Sequence, residues 1–231
     1  MKRQIVLDTE TTGLDANNGD RIIEIGCIEL VDRRFTGRSY HQYINPQRSI
    51  DVGAQAVHGI SSDFLKDKPV FADIADAFFD FCDGAELVIH NAPFDIGFIN
   101  AEFSHLNYKC KDINNNCEVL DSLPLARQKH PGQANNLDAL CKRYSVDASG
   151  REYHGALLDA QLLAHVYLAM TSEQSTLFGG EGSKVAKQAQ KTSEKEQVSI
   201  AVDVSQPLKV IKASDKEVAE HNKFIEQFAE G

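Results

Sequence analysis

Ile5-Val6-Leu7-Asp8-Thr9-Glu10-Thr11-Thr12-Gly13 is an apolar run that ends in two carboxylates, small hydroxylated residues and a glycine. Residues i and i+2 of a strand face the same side, so Asp8 and Glu10 point at one spot. Two converging carboxylates repel each other and are driven to protonate unless a cation lies between them. A divalent metal site at a strand end is one reading of this stretch. An edge strand carrying two solvated acids is the other, and the D-x-E spacing alone does not separate them.

Two later segments supply partners. Leu87-Val88-Ile89-His90-Asn91-Ala92-Pro93-Phe94-Asp95 reads as a buried strand breaking into a turn. Pro93 suits the first helical position, which puts Asp95 in the first turn, near the positive end of the helix dipole. His154-Gly155-Ala156-Leu157-Leu158-Asp159-Ala160 opens a strongly apolar helix. Five residues correspond to roughly 500° of helical rotation, so His154 and Asp159 diverge if both are helical. They converge only if the helix begins near Gly155 and His154 lies in the loop before it.

Asp8, Glu10, Asp95, His154 and Asp159, in this order at strand and helix ends, resemble the signature of the DEDD exonuclease superfamily in its histidine-bearing (DEDDh) branch. The sibling branch has a tyrosine four residues before the last aspartate; that position is Gly155 here. Gln4–Gly13, Arg21–Glu29, Ala56–Ile60, Gly84–Phe98, Asp121–Arg127, Leu137–Tyr144 and His154–Met170 further resemble the epsilon (proofreading exonuclease) subunits of bacterial DNA polymerase III. The likeness spans residues 3 to about 171 and resumes near the C-terminus. One departure stands out. The family often carries an acid five positions before the histidine of Val57-His58-Gly59, helping to hold the terminal nucleotide, and this chain has Gly53 there.

The resemblance implies a ribonuclease H-like fold, a mixed five-stranded sheet flanked by helices; the sequence pattern itself argues only for α/β. It also implies 3′→5′ hydrolysis of DNA with release of 5′-mononucleotides, using two Mg²⁺ or Mn²⁺ ions roughly 3.5–4 Å apart. Asp8 would bridge both ions, and Glu10 and Asp159 would ligate the one carrying the attacking water. Asp95 would hold the second, directly or through water. His154 would act as general base, for which a pKa near 6.5 is suited. Asp8, Glu10, His58 and Asp159 would contact substrate, with the backbone after Glu10 helping His58 place the terminal nucleotide. An RNA-trimming exonuclease of the same branch and a non-catalytic scaffold joining polymerase and clamp are the alternatives. The tail argues against the first, and the presence of all five catalytic side chains against the second.

Composition sets the surroundings. The chain has 231 residues, 42% of them hydrophobic, enough for one core domain plus extra material. The N-terminus leads into only three apolar residues, too few for a signal-peptide core, and no run approaches the ~18 apolar residues of a membrane span. Five widely spaced cysteines without a CxxC read as reduced thiols. Composition thus points to a cytoplasmic protein with no membrane association, and the resemblance implies a place in the nucleoid-associated bacterial replisome. The formal net charge is −10, whereas nucleic-acid binders usually carry a basic footprint. A basic partner is therefore expected to supply part of the grip on phosphate. Of 34 acids and 24 bases, 10 and 8 lie in residues 172–231, leaving 24 and 16 on the first 171 residues.

Residues 1–171 read as the exonuclease domain. Strands are expected at Gln4–Asp8, Arg21–Val31 (with Ile23, Ile25 and Cys27 on one face), His41–Ile44, Glu86–His90 and Glu118–Leu120. Helices are expected at Val70–Cys82, Phe94–Leu106, Leu123–Lys129, Leu137–Tyr144 (capped by Asn136) and Ala156–Met170. Residues 172–178 contain Gln174-Ser175-Thr176-Leu177-Phe178, which resembles the clamp-binding peptide of bacterial replication proteins: Gln174 is a polar anchor, and Leu177 and Phe178 fill a pocket. A frayed helix end is the alternative there. Residues 179–207, rich in Gly, Lys, Gln, Ser and Glu early on, read as a flexible linker. Residues 208–231 contain a capping box at Ser214–Glu217 and an amphipathic helix with Val218, Ile225 and Phe228 on one side. They resemble the tail that tethers epsilon subunits to the polymerase (alpha) subunit. Whether a small accessory (theta-type) subunit coats the domain is left open.

Overall fold

A computed structural model describes residues 2–149 and 153–172. The expected clamp peptide at Gln174–Phe178, the expected linker and the expected amphipathic tail lie outside the described residues.

Five strands form one sheet: β1 (Arg3–Thr11), β2 (Ile22–Val31), β3 (Arg34–Tyr43), β4 (Glu86–Ile89) and β5 (Glu118–Asp121), in the order β3-β2-β1-β4-β5. β1 runs antiparallel to β2, and β2 to β3; β4 runs parallel to β1, and β5 to β4. The helices are α1 (Val52–His58), α2 (Ser62–Leu65), α3 (Phe71–Cys82), α4 (Ala92–His105), α5 (Ser122–Lys129), α6 (Leu137–Arg143) and α7 (Ala156–Thr171).

The middle of the central strand is buried on both faces, which is why Ile5-Val6-Leu7 is continuously apolar rather than alternating. Ile5 and Leu7 pack with Phe71, Phe78, Ile99 and Phe103 of α3 and α4. Val6, on the other face, packs with Leu163, Ala164 and Tyr167 of α7. The Gln4 amide donates to Tyr167 Oη (2.8 Å) and Glu86 Oε2 (2.5 Å), joining α7 to β1 and β4. A third cluster, Ala126, Leu140, Cys141, Leu162, Val166 and Met170, fixes α5 and α6 against α7. Glu102 is buried on α4, where it accepts both arms of the Arg21 fork (2.8 and 2.5 Å) and the amide of Ile22 (3.2 Å). It lies seven residues, about two turns, beyond Asp95, so the clamp sets the rotation of the helix that carries Asp95.

Four expectations need adjustment. β2 is buried on nearly all of its length, not on one face, because α7 covers the side that Ile25 and Cys27 leave. β3 begins at Arg34 rather than His41. Its first half is an exposed edge whose arginines discourage further pairing, and such a polar strand carries no alternating signal. α1 and α2 were not expected; they are a seven- and a four-residue helix without an apolar stripe. α4 starts at Ala92, so Pro93 is its second residue. All five cysteines are free and buried, and among the described residues no helix is long and apolar enough to cross a membrane.

Candidate metal and active site

β1 and β4 run parallel, and open sheets place ligand sites beyond the carboxyl ends of such strands. Asp8 and Glu10 occupy that end of β1, on the face that also carries Val6 and meets α7. Opposite them on β2 stand Gly26 and Glu24. A Cβ at Gly26 would lie 2.2 Å from the backbone nitrogen of Leu157 and 2.4 Å from the oxygen of Ala156. The first turn of α7 thus rests directly on the strand backbone, and Asp159, one turn further on, reaches the same end of the sheet as Asp8.

The helix begins as the spacing requires. Gly155 is the extended N-cap and His154 precedes it, its amide donating to the Val57 carbonyl at 3.2 Å. The imidazole Nδ1 stands 3.4 Å from Asp159 Oδ2. Asp95 enters from α4 after a left-handed turn at Asn91 (φ 70°), and Thr9 Oγ1 donates to its carboxylate at 2.7 Å. Burial pushes the Asp95 carboxyl up to about 7, against the lowering effect of the Thr9 bond.

Asp8, Glu10, Asp95, His154 and Asp159 therefore line one cavity of about 190 Å³. Donor atoms of Glu10, His154 and Asp159 lie within 4.8 Å of one another, a spacing able to hold a metal ion. The donor set, carboxylate oxygens plus one imidazole, suits Mg²⁺ or Mn²⁺ in its oxygens and tolerates softer cations through the histidine.

His58 stands apart from the cavity wall but beside it. It is buried at the end of α1, and its Nδ1 accepts the amide of Ile60 at 3.0 Å. That bond leaves the proton on Nε2, which has no hydrogen-bond partner among the described residues. Burial, and secondarily the charge of His154, hold this imidazole below its ordinary pKa. His58 is thus a neutral donor with one unused N–H. At Gly53 a Cβ would meet nothing within 4 Å, so the surroundings leave room there for a larger side chain.

The exonuclease family matches residues 5–167. DNA polymerase III subunit epsilon of Escherichia coli K12 is 50% identical over 224 residues, covering 95% of this chain and 90% of the relative. The Haemophilus influenzae subunit is 49% identical over 231 residues, covering 96% and 89%. This chain belongs to the DNA polymerase III epsilon family. Among solved structures, exonuclease X in complex with 5′-overhanging duplex DNA superposes with a TM-score of 0.57 at 26% identity, covering 74% of this chain and 90% of that one.

Two side chains of this epsilon-family site were not singled out in the sequence. Glu24, directly across from Glu10, is buried; its Oε1 lies 2.7 Å from His41 Nε2, while Oε2 has no hydrogen-bond partner among the described residues. The available signal was a lone acid inside the apolar run Ile22-Ile23-Glu24-Ile25. His90 bridges Ser122 Oγ (2.9 Å, through Nδ1) and the Asn135 carbonyl (2.8 Å, through Nε2). A carbonyl can only accept, so Nε2 carries the proton and Nδ1 accepts from the serine. Burial, the largest influence, holds the ring below its ordinary pKa, and the nearby Arg127 charge adds to that. His90 is a neutral strut between the sheet and the 130–136 loop.

Proposed function

We propose that this epsilon-family exonuclease removes mispaired 3′-terminal nucleotides from DNA as 5′-mononucleotides, working within a polymerase III holoenzyme. The observation that carries the reading is the single cavity to which β1, α4 and the His154–α7 segment each contribute acids or a base. Asp8, Glu10, Asp95 and Asp159 are assigned to hold two divalent cations, Mg²⁺ or Mn²⁺, with Asp8 shared between them. Bound there, the cations would polarise the phosphate and acidify water. His154, 44% exposed and beside Asp159, is placed to take a proton from the attacking water. The unused Nε2–H of His58 is suited to donate to an oxygen of the terminal nucleotide.

The tail readings remain part of the proposal: Gln174, Leu177 and Phe178 dock on the sliding clamp, and residues 208–231 on the polymerase alpha subunit. A basic partner would offset the domain's excess of acids, and a tether would raise the effective concentration at the primer end. A small theta-type subunit is compatible with this arrangement.

The decisive assay compares a 3′-mismatched primer–template with an RNA oligomer of matched sequence, each with and without Mg²⁺ or Mn²⁺. Metal-dependent loss of the mismatched nucleotide, with RNA degraded far more slowly, is expected. Preferential trimming of RNA would overturn the reading in favour of the RNA-processing branch.

A further inference from the structure

A second, larger cleft opens beside the catalytic cavity. It measures about 710 Å³ and lies between α5 and the 130–136 loop. Binding sites for small ligands occupy about 300–1,000 Å³; the catalytic cavity, at about 190 Å³, holds little beyond the reacting phosphate. His90 and Asn91 line both spaces, so the two are continuous.

The chemistry of the larger cleft is the reverse of its neighbour's. The catalytic cavity is walled by four carboxylates, whereas no carboxylate lines the cleft. Its exposed polar side chains include Asn91, Arg127, Gln133 and Asn136, whose Oδ1 caps α6 by accepting the Ala139 amide and whose amide nitrogen is the remaining donor. Residues 122–144, which build it, hold four bases (Arg127, Lys129, Lys142, Arg143) and one acid (Asp138). That is a basic segment on a chain of net charge −10. The wall is also fixed in place. The buried Asn135 amide donates to the His130 and Gln133 carbonyls at 3.2 and 2.9 Å, Arg143 donates to the Ala134 carbonyl at 2.9 Å, and His90 holds the Asn135 carbonyl. Arg143 and Asn135 are thus used within the protein. Arg127 is exposed and forms no ion pair with any described residue.

We infer that this cleft is the upstream subsite for the DNA strand: Arg127, with Gln133 and Asn136, binds the phosphodiesters immediately 5′ of the scissile bond. The inference rests on the nuclease reading above and adds the path by which the strand reaches the site. A cationic, amide-lined surface continuous with a carboxylate cavity suits a polyanion whose terminal phosphate is neutralised by metal while the next ones need donors from protein. Leu123 offers an apolar surface against which a base can lie.

The test uses the full-length chain and substrates of graded length. The wild type is assayed on the nitrophenyl ester of thymidine 5′-monophosphate, too short to enter the cleft, and on a dinucleotide and a pentanucleotide of deoxythymidine. Its KM is expected to fall from dinucleotide to pentanucleotide. In Arg127→Gln and in Gln133→Glu that gain should shrink by about tenfold, the scale of one lost charge-assisted contact. The dependence of log KM on log salt should flatten by about 0.7 in Arg127→Gln, one phosphate contact on a single strand. Arg127→Lys should restore the salt dependence. A length gain and salt slope that match wild type in both Arg127→Gln and Gln133→Glu would overturn the subsite while leaving the nuclease reading intact. Failure of the wild type to cleave ester and oligonucleotides alike would overturn the nuclease reading itself.

Discussion

Gly26→Ala isolates the contact that assembles the site. The added methyl would sit 2.2 Å from Leu157 N and 2.3–2.4 Å from the Ala156 carbonyl group, where ordinary van der Waals contact starts at 3.4 Å. These are backbone atoms, so no rotamer change relieves the clash, and strand and helix must separate by about 1.2 Å. Overpacking of this kind costs about 1–3 kcal/mol. For a domain of this size that corresponds to about 2–4 °C in Tm per kcal/mol. The functional cost is larger, because α7 carries Asp159 and follows directly on His154, while Asp8 stays with the sheet. Misplacement of reacting groups by about 1 Å costs on the order of 10²-fold in rate. The control is Gly97→Ala, the same substitution in α4 where a Cβ meets nothing within 4 Å; there helix propensity should add about 0.5–1 kcal/mol. Single-turnover hydrolysis of a single-stranded oligonucleotide and thermal unfolding, run on both variants and wild type, read the two effects. If Gly26→Ala cleaves DNA within about twofold of wild type and melts at the same temperature, α7 does not dock through this contact, and the account of how Asp159 meets Asp8 is wrong.

Asp8→Ala should abolish hydrolysis while leaving the metal-free fold as stable or slightly more so, because one member of a self-repelling carboxylate group is removed; substantial turnover at saturating Mg²⁺ would refute the assignment. His154→Ala should slow the chemical step by about 10²–10⁴ and remove the acidic limb of the pH–rate profile, with metal affinity near wild type by titration calorimetry. Collapse of that affinity would make His154 a ligand, which its proximity to Glu10 and Asp159 would permit. Burial raises Asp95 from its ordinary 3.8 to about 7, so the metal-free fold keeps this group's stabilising contribution below about pH 4 and loses it as pH climbs through 7. Metal offsets that loss, and Mg²⁺ should raise Tm more at pH 8 than at pH 6; an equal or smaller increment at pH 8 would remove Asp95 from the metal site.

The sheet and the convergence of the candidate residues on one cavity were legible where burial and geometry leave a mark on the chain. Ile5–Leu7 of β1, covered on both faces, form an unbroken apolar run. The requirement that His154 and Asp159 converge dictates a helix start at Gly155, which is where α7 begins. Illegible elements are those whose stability comes from elsewhere. The first half of β3 is held by pairing with β2 and by side-chain contacts to other elements, Thr36 and Arg38 on Glu29 and Phe35 against His165, which leave no alternating signal in its own sequence. α1 is too short to show a stripe, yet it delivers His58 and, through Val57, anchors the amide of His154. Glu24 and His90 escaped notice because a buried polar residue is recognisable only by its partners, and His41, Ser122 and Asn135 are 17 to 45 residues away.

The chain's charge makes sense once it is resolved in space. A net charge of −10 opposes DNA if it is taken as a uniform field, but the acids at the end of β1 are useful only in proportion to their mutual repulsion. Burial pushes the Asp95 carboxyl up to about 7, and Thr9 supplies one hydrogen bond where a full counter-charge is wanted. Such a site gains most from a divalent cation and gains nothing from bare phosphate. On the proposed assignment the surplus of acids would favour DNA presented with metal, and grip on the rest of the strand would come from groups outside the cavity. Segment 122–144 brings basic and amide groups to the cleft that adjoins that cavity, and His90, neutral and bonded at both nitrogens, joins the two surfaces without adding charge to either.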